Sequence, residues 1–437
     1  MFGTLGGWIL RGGEAVISYI RSRLWPVPVV LATVLVIAAE LLSQVHVPAG
    51  SATERWLWPG ESSAAESMLS LLAGSSLTVI SLTMSMTLVV LQLASANSPR
   101  LLREFTSDFS TQLLLGGFFG LFGYCLVVLR NLPPDPPGHV PALAVGIAPL
   151  LALLVVGGLI AFIAYLVQLL RIDLVMSEVR NEGSRVLRAV YGPVESPFPR
   201  GDAPPTAGGV PMRAQKAGYV QFIDLDELFR SLRSTGYTVV VDVRPGDRIR
   251  PGHPLGRVVC EHEDGPGDVS DRLTDMFVIG DERTMDQDVS FAVRQLADVA
   301  VKALSPGVND PTTATHALDF LGDLLSQRAR YPDGHQRLVH GDGSELYLRG
   351  YDLDELLLLS TDQILRYGGA EPAVLSAILS VSRDLAAHTV PDQRRHEAVQ
   401  QLIDRVSWTI GRHIPDPVAA DRVRDEVDTT RVALRTV

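Results

Sequence analysis

The chain has 437 residues, of which 46% are hydrophobic and 20% are charged, and its formal net charge at pH 7 is −11. Its mean hydropathy of +0.19 is too high for an ordinary soluble protein of this size. Residues 1–175 hold eight basic and nine acidic residues, so almost all of the net negative charge lies in the rest. These values indicate a hydrophobic membrane part followed by an acidic soluble part, and the acidity argues against a nucleic-acid partner.

The N-terminal part predicts an interfacial segment and four membrane spans. Residues 1–25 contain three arginines and no small-residue cleavage site, which indicates an uncleaved segment at the membrane interface rather than a signal peptide. Four apolar segments follow, and three of them reach or exceed the roughly 20 residues that a bilayer requires. They are residues 26–47, 67–96, 113–129 and 140–170.

Arginine residues orient these four spans. They cluster before the first span, between the second and third, and after the fourth, whereas the loops on the other side hold only Arg55 and Arg130. The positive-inside rule therefore predicts that both termini lie in the cytoplasm.

The second span carries a polar stripe. Small or polar residues recur at steps of three or four residues, interrupted only by Leu88, which places them on one face of a helix. They are Ser67, Ser70, Gly74, Thr78, Ser81, Ser85, Gln92 and Ser95. Lipid offers a hydroxyl group no hydrogen-bond partner, so such a face contacts another helix or water. Two interpretations stay open, namely helix packing with hydroxyls bonded to their own backbone, and the lining of an aqueous path.

Acidic residues could add to such a path. Glu40 is the one acid well inside a span, and an intramembrane carboxylate is costly enough to suggest a function, although Glu40 could also extend to the outer interface. The outer loop before the second span holds Glu54, Glu61 and Glu66, which could concentrate cations at a pore mouth or simply keep the loop soluble.

The third and fourth spans suggest packing and a cytoplasmic extension. Gly116, Gly120 and Gly123 form a small-residue face in the third span, which predicts close packing against a neighbouring helix. The fourth span exceeds the length of the hydrocarbon core, and its helical pattern continues to about Tyr191. We therefore predict a transmembrane domain with a cytoplasmic helix extension over residues 26–191.

The soluble part is predicted to be an α+β cytosolic domain. A Pro- and Gly-rich linker over residues 192–212 leads into a small β-rich subdomain and then a mostly helical one, residues 213–282 and 283–437. The hairpin PGDRIRPGHPLGRV resembles that of biotinyl and lipoyl domains and indicates a β-barrel-like part, but it lacks the lysine that would carry a cofactor. The last four segments have a helical apolar period and predict a C-terminal bundle: 353–367, 372–388, 392–413 and 417–434.

A distinctive turn begins one of the cytosolic helices. Asp310 stands at an N-cap position and Pro311 at the first helical position, which together predict a helix start. The same motif could instead bind an ion or ligand at the helix N-terminus, and both interpretations stay open. The motif consists of Ser305, Pro306, Gly307, Asn309, Asp310, Pro311 and Thr312.

Signatures of enzyme chemistry are absent from the sequence. It contains no GxSxG, Walker, HExxH or CxxC pattern, and its histidines are scattered singly. We therefore expect neither an enzyme, nor a cofactor, nor a bound metal.

Two stretches carry a family resemblance. The segments LQLASANSPRLLREFTSDFSTQLLLGGFFGLFGYCLVVLR at 91–130 and ALSPGVNDPTTA at 303–314 resemble the signature segments of a bacterial family of predicted membrane proteins, domain-of-unknown-function family 2254. The resemblance covers nearly the whole chain. It implies a multi-pass protein of the bacterial cytoplasmic membrane with a cytosolic domain, and it implies no activity.

The leading hypothesis is a homo-oligomeric channel or ion-conducting protein. The second spans would line the path with Thr78, Ser81, Ser85, Gln92 and Ser95, and the cytosolic domain would assemble or gate it. Glu40 and the outer acids would favour cations, so the expected partners are the lipid bilayer, further copies of the chain and small ions. The alternative is a membrane-anchored sensor or scaffold whose cytosolic domain binds a ligand or protein. A secondary transporter is a third hypothesis, although the spans show no inverted repeat.

Overall fold

The protein divides into two compact units, Met1–Leu170 and Arg171–Val437. The computed structural model describes residues 25–45, 57–58, 61–97, 109–133, 140–169, 171–192, 204–205, 208–260, 269–388 and 393–435. Among its described residues, the first unit contains four helices that are long and apolar enough to cross a membrane. The second is an α+β unit, so the predicted fold class is confirmed at this level, while the orientation of the termini stays a prediction.

The first unit is built around its third helix. Its helices are α1 Pro26–Ser43, α2 Ser62–Asn97, α3 Phe109–Arg130 and α4 Ala142–Leu169. In α3, 61% of the span is buried, compared with 11% to 28% in the other three, because α1, α2 and α4 all pack against it. The helix at the centre of the unit is therefore α3, and not the α2 helix that carries the polar stripe.

The glycines of α3 form the contact with α1. A Cβ atom added at Gly116 would lie only 2.9 Å from the Cα of Pro28, and one added at Gly120 would lie closer still to Leu35. Gly123 makes the same kind of contact further along the helix. At Gly116 the absent side chain lets the two backbones approach, and at Gly120 and Gly123 it leaves room for the side chains of Leu35 and Val36. The predicted packing face is confirmed, and its partner is α1.

The second unit contains nine described helices and eight described strands. The helices are α5 Ile172–Tyr191, α6 Leu225–Ser231, α7 Val269–Thr274, α8 Val289–Ala303, α9 Pro311–Ala329, α10 Leu353–Gly368, α11 Pro372–His388, α12 Gln393–His413 and α13 Pro417–Arg435. The strands are β1 Val210–Arg213, β2 Gly218–Ile223, β3 Thr238–Val241, β4 Arg248–Ile249, β5 Pro254–Val259, β6 Phe277–Gly280, β7 His335–Val339 and β8 Glu345–Arg349.

The described strands form two sheets that share one hydrophobic core. The five-stranded sheet has the order β1-β5-β3-β8-β7, and the three-stranded antiparallel sheet has the order β4-β2-β6. Strands β3 and β8 pair in parallel, with Thr238 opposite Glu345, although they are about a hundred residues apart in the chain. The hairpin β7–β8 therefore joins the sheet of the β-rich segment, and a closed barrel is not confirmed among these strands.

The helices of the second unit surround a separate core. Helix α5, which continues the chain after α4, packs against α8 and α9 of this core. A Cβ atom added at Gly183 of α5 would lie 2.8 Å from the Cβ of Ala292, so the two helices touch closely at this point. The residues predicted as a cytoplasmic extension of the fourth span thus form part of the second unit.

Candidate functional site

Helix α2 is longer than a membrane span requires and has two distinct faces. Its 36 residues extend over about 54 Å at the usual helical rise, compared with about 30 Å for the hydrocarbon core. One face packs within the unit, where Ile80 joins a cluster with Leu114 and Phe118 of α3. The buried members of this face are Ala65, Leu69, Ala73, Ser76, Ile80, Thr83 and Thr87.

The predicted polar stripe lies on the opposite face and is exposed. Its described members are Ser67, Ser70, Gly74, Thr78, Ser81, Ser85 and Gln92, and each of them is exposed in the single chain. A Cβ atom added at Gly74 would have no heavy atom within 4 Å. Ser95 belongs to α2, but its side chain lies outside the described residues. Packing against the described helices of the same chain therefore does not account for the stripe.

Several hydroxyls of the stripe donate hydrogen bonds to the helix backbone. Ser67 Oγ donates to the Ser63 carbonyl at 2.9 Å, and Thr78 Oγ1 donates to the Gly74 carbonyl at 3.1 Å. Ser85 Oγ donates to the Ser81 carbonyl at 2.9 Å. Each hydroxyl oxygen retains acceptor capacity, because a hydroxyl has one donor and two acceptor positions. The stripe can thus accept hydrogen bonds from water or contact a cation without any change in the helix.

A second set of hydroxyls on α2 was not recognised from the sequence. Ser76, Thr83 and Thr87 lie on the buried face, at spacings of seven and four residues that place them on one side of a helix. Ser76 Oγ donates to the Leu72 carbonyl at 2.7 Å, whereas Thr87 Oγ1 is buried without a hydrogen-bond partner among the described residues. These three are the fully buried hydroxyls among the described side chains of α2.

Glu40 is held at the end of α1 by groups of α3 and the residue after it. Its carboxylate accepts hydrogen bonds from Arg130 Nη2 at 3.2 Å and Asn131 Nδ2 at 3.1 Å, and from Gln44 Nε2 at 3.4 Å on its own helix. The Arg130 guanidinium neutralises the carboxylate, so Glu40 is half of an ion pair. Its described partners connect the ends of α1 and α3 and include no residue of the α2 stripe.

Two of the predicted outer acids lie at the start of α2. Glu61 directly precedes the first residue of the helix, and Glu66 lies in its second turn, and both are exposed. Negative charge is favourable at a helix N-terminus because the backbone N–H groups there point outward. Glu66 lies on the same helix as the stripe, at a distance of about 39 Å from Gln92 along the helix axis. Glu54 lies outside the described residues.

In the second unit, the Ser305–Thr312 motif caps helix α9. Asp310 accepts hydrogen bonds from the Thr313 backbone N–H at 3.1 Å and from Thr313 Oγ1 at 2.6 Å. The bond from the Thr313 hydroxyl, followed by that from the backbone, lowers the pKa of Asp310 below its ordinary value. Asn309 adopts a left-handed φ of 48°, and the turn is exposed from Pro306 to Asn309. The predicted helix start is confirmed, and ligand binding by the motif stays a prediction.

A buried charge cluster in the second unit was also missed by reasoning from sequence. Arg328 and Arg395 are 1% and 2% exposed, and both contact the carboxylate of Asp333 at 2.5 Å. Their other donors bond to backbone carbonyls, including those of Ala329 and Tyr331. Because every charge in the cluster has a partner of the same chain, it serves to hold the helices together. Among the described residues, no group of three or more His, Cys, Asp or Glu side chains could hold a metal ion.

Comparisons with known proteins identify the family of the chain. A family model described as "Predicted membrane protein (DUF2254)" matches residues 21–384, which confirms the resemblance inferred from the two motifs. An uncharacterized protein of Mycobacterium bovis is 30% identical over 421 residues, covering 93% of this chain and 80% of its own length. Uncharacterized proteins of two Mycobacterium tuberculosis strains match with the same identity and the same coverage. No solved structure is significantly similar to the chain.

Proposed function

The chain belongs to the predicted-membrane-protein family of unknown function 2254, and we propose that it is a homo-oligomeric ion-conducting protein whose α2 helices line the path. One observation carries this proposal. The polar stripe of α2 faces away from α1, α3 and α4, so its described hydroxyls and the Gln92 amide lie on the outer surface of a single subunit. A surface of this kind finds hydrogen-bond partners in water or on the same surface of a second subunit, and not in lipid.

The exposed half of α2 consists of a polar strip and an apolar strip. Leu82 follows Ser81 directly and therefore lies about 100° around the helix axis from the stripe, and it is 61% exposed. Leu71 and Val89 are exposed on the same side as Leu82. A helix with one polar and one apolar exposed strip can turn the polar strip towards a central axis while the apolar strip contacts lipid or the neighbouring subunit.

The chemistry of the stripe suits weakly selective conduction. Hydroxyl and amide oxygens can replace part of the hydration shell of an ion as it passes. The described stripe residues carry no charge, so an ion would meet neither a strong barrier nor a deep trap along them. Glu61 and Glu66 at the start of the helix would raise the local cation concentration. Glu40 contributes less to the attraction of cations than the sequence suggests, because its carboxylate already forms an ion pair with Arg130.

Liposome flux measurements test this proposal. The full chain, reconstituted into vesicles loaded with K⁺, should release K⁺ faster than empty vesicles, and Ser81→Leu or Ser85→Leu should reduce the release. Leu82→Ala is the matched control, since Leu82 is exposed on the same helix but lies off the stripe. Absence of flux, or flux unchanged by the two serine variants, would overturn the proposal.

A second candidate function is a membrane-anchored sensor or scaffold, and a surface cleft in the second unit favours it. The cleft measures about 610 Å³ between α10 and α12 and is lined by Leu365, Arg366, Arg405 and Trp408 among others. Trp408 is 59% exposed beside the Arg412 guanidinium, and exposed Trp and Arg are common at interaction hot spots. This candidate predicts no conduction, and it predicts that residues 171–437, expressed alone, fold, assemble and bind a ligand or protein.

A further inference from the structure

The first unit contains an apolar cavity between α1, α3 and α4. Its volume is about 420 Å³, and its walls include Leu31 and Leu35 of α1, Gly117 and Leu121 of α3, and Val155 and Gly158 of α4. An apolar cleft of this size is unfavourable when empty, because its walls lose dispersion contacts when nothing fills it. An occupant is therefore expected.

The two polar side chains in the wall lie at the same end of the cavity. Ser110 is the second residue of α3, and Tyr165 lies near the end of α4, from which the chain continues towards the second unit. All other side chains in the lining are aliphatic or phenyl groups, or glycine. The cavity thus has an apolar body and one end that bears hydroxyl groups, which is the polarity of a lipid molecule.

The length and volume of the cavity also fit one lipid tail. Its lining on α3 runs from Phe109 to Leu121, which is about 18 Å at the helical rise and close to the roughly 15 Å of hydrocarbon in one leaflet. An apolar cavity of about 150 Å³ is large enough to bind benzene, so on the same ratio 420 Å³ accommodates on the order of 16 carbon atoms. A helix from another subunit, about 10 Å wide, would fit only about four residues into this volume.

The cavity is open to the bilayer at its side. Leu113 and Leu154 line it and are 47% and 71% exposed, so a tail can enter laterally from the surrounding lipid. We propose that the cavity binds one acyl chain of a membrane phospholipid, with the headgroup at the end formed by Ser110 and Tyr165. By the predicted topology this is the cytoplasmic leaflet. The site depends on insertion of α1, α3 and α4 into the bilayer and not on conduction along α2.

Glycine substitutions provide a matched test. A Cβ atom at Gly158 would lie 3.5 Å from Leu114 Cδ1, an ordinary contact, so Gly158→Leu can fold while it fills the cavity. Gly157, its neighbour, has no heavy atom within 4 Å of an added Cβ and does not line the cavity, so Gly157→Leu is the control. Ala161→Leu fills the cavity from a second position and covers the case in which Gly158→Leu fails to fold.

The measurement is native mass spectrometry of the full chain in detergent after incubation with palmitoyl-oleoyl-phosphatidylglycerol. The wild type and Gly157→Leu should retain one phospholipid per chain. A leucine at either position takes space that the acyl chain would occupy and removes dispersion contacts between the chain and the wall, so it should lower retention several-fold. A wild type without bound phospholipid, or equal retention by Gly158→Leu, Ala161→Leu and Gly157→Leu, would overturn the assignment. Equal loss of phospholipid from all three variants would also overturn the assignment, since it would indicate that the phospholipid binds elsewhere on the membrane-facing surface.

Discussion

The hydroxyl of Ser85 donates a hydrogen bond to the carbonyl oxygen of Ser81 at 2.9 Å, and both residues lie on the exposed face of α2. The bond satisfies the hydroxyl donor inside the helix and leaves acceptor positions directed outward. A subunit can therefore present this face to lipid before assembly and to water or another subunit afterwards, without changing the helix. The role of the stripe thus depends on what a second copy of the chain places against it.

We predict that α2 helices of neighbouring subunits lie side by side, with the stripe turned towards the shared path and Thr78, at the edge of the stripe, close to the next helix. In a chain carrying Cys125→Ala and Cys260→Ser, Thr78→Cys should form a disulfide-linked dimer on mild oxidation, because disulfides form only when Cα atoms come within about 7 Å. Thr83→Cys is the control, since Thr83 is buried inside the unit. Non-reducing gel electrophoresis of membranes reports the dimer. Equal cross-linking of both variants, or none of Thr78→Cys, would count against assembly through this face.

The buried cluster around Asp333 should dominate the stability of the second unit. Asp333→Asn leaves the buried guanidiniums of Arg328 and Arg395 without a counter-charge, which should lower the free energy of unfolding by about 3–5 kcal/mol. Asp421→Asn breaks an exposed ion pair with Arg424 and should change the free energy of unfolding by less than about 1 kcal/mol. Denaturant unfolding followed by circular dichroism measures both. Similar effects of the two variants would refute the assignment of stability to the cluster.

The same carboxylate should make stability depend on pH. Burial raises the pKa of Asp333, but the hydrogen bond from Arg395 and the charge of Arg328 outweigh it, so the pKa lies below its ordinary value. A depressed pKa stabilises the folded state above the pKa of the unfolded chain, about pH 4, and this stabilisation is lost as the pH falls through the folded pKa. The stability difference between the wild type and Asp333→Asn should therefore shrink in acid. A difference that is constant between neutral and acidic pH would contradict this.

The Asp310 motif can be tested with an isosteric pair of variants. Asp310→Ala removes the acceptor for the Thr313 N–H and should destabilise the second unit by about 1 kcal/mol, the usual cost of a lost N-cap. Asp310→Asn retains an oxygen acceptor and should be close to the wild type, since Asn caps as well as Asp. Thermal unfolding of the two variants provides the comparison. If Asn proves as damaging as Ala, the negative charge at the helix N-terminus, and not the oxygen acceptor alone, stabilises the helix.

Local features of the fold were predictable from the sequence. The strand at Gly218–Ile223 and the helix start at Pro311 both follow from neighbouring residues, namely a β-rich run between turns and an N-cap with proline. The stripe on α2 also follows from spacing. These signals depend on residues close together in the chain, and therefore they do not require knowledge of the tertiary contacts.

Non-local arrangements were not predictable in the same way. Nothing near Thr238 or Glu345 indicates that these distant residues pair in parallel strands. Arginine is usually a surface residue, so the sequence gives no sign that Arg328 and Arg395 are buried. Only the tertiary fold brings both side chains into contact with Asp333. The spacing of the stripe likewise predicts a shared face on α2, but its direction depends on where α3 packs.

The central claim is that the exposed face of α2 meets water in the assembled protein, and thiol accessibility tests it most directly. In the background without native cysteines, Ser81→Cys, Leu82→Cys and Thr83→Cys place a thiol on the stripe, on the apolar exposed strip and on the buried face of the same turn. A charged, membrane-impermeant thiol reagent, applied to the protein in vesicles, should modify Ser81→Cys quickly and leave Leu82→Cys and Thr83→Cys unmodified, because thiolate chemistry requires water. If Ser81→Cys is as unreactive as Leu82→Cys, the stripe faces lipid or protein and not an aqueous path.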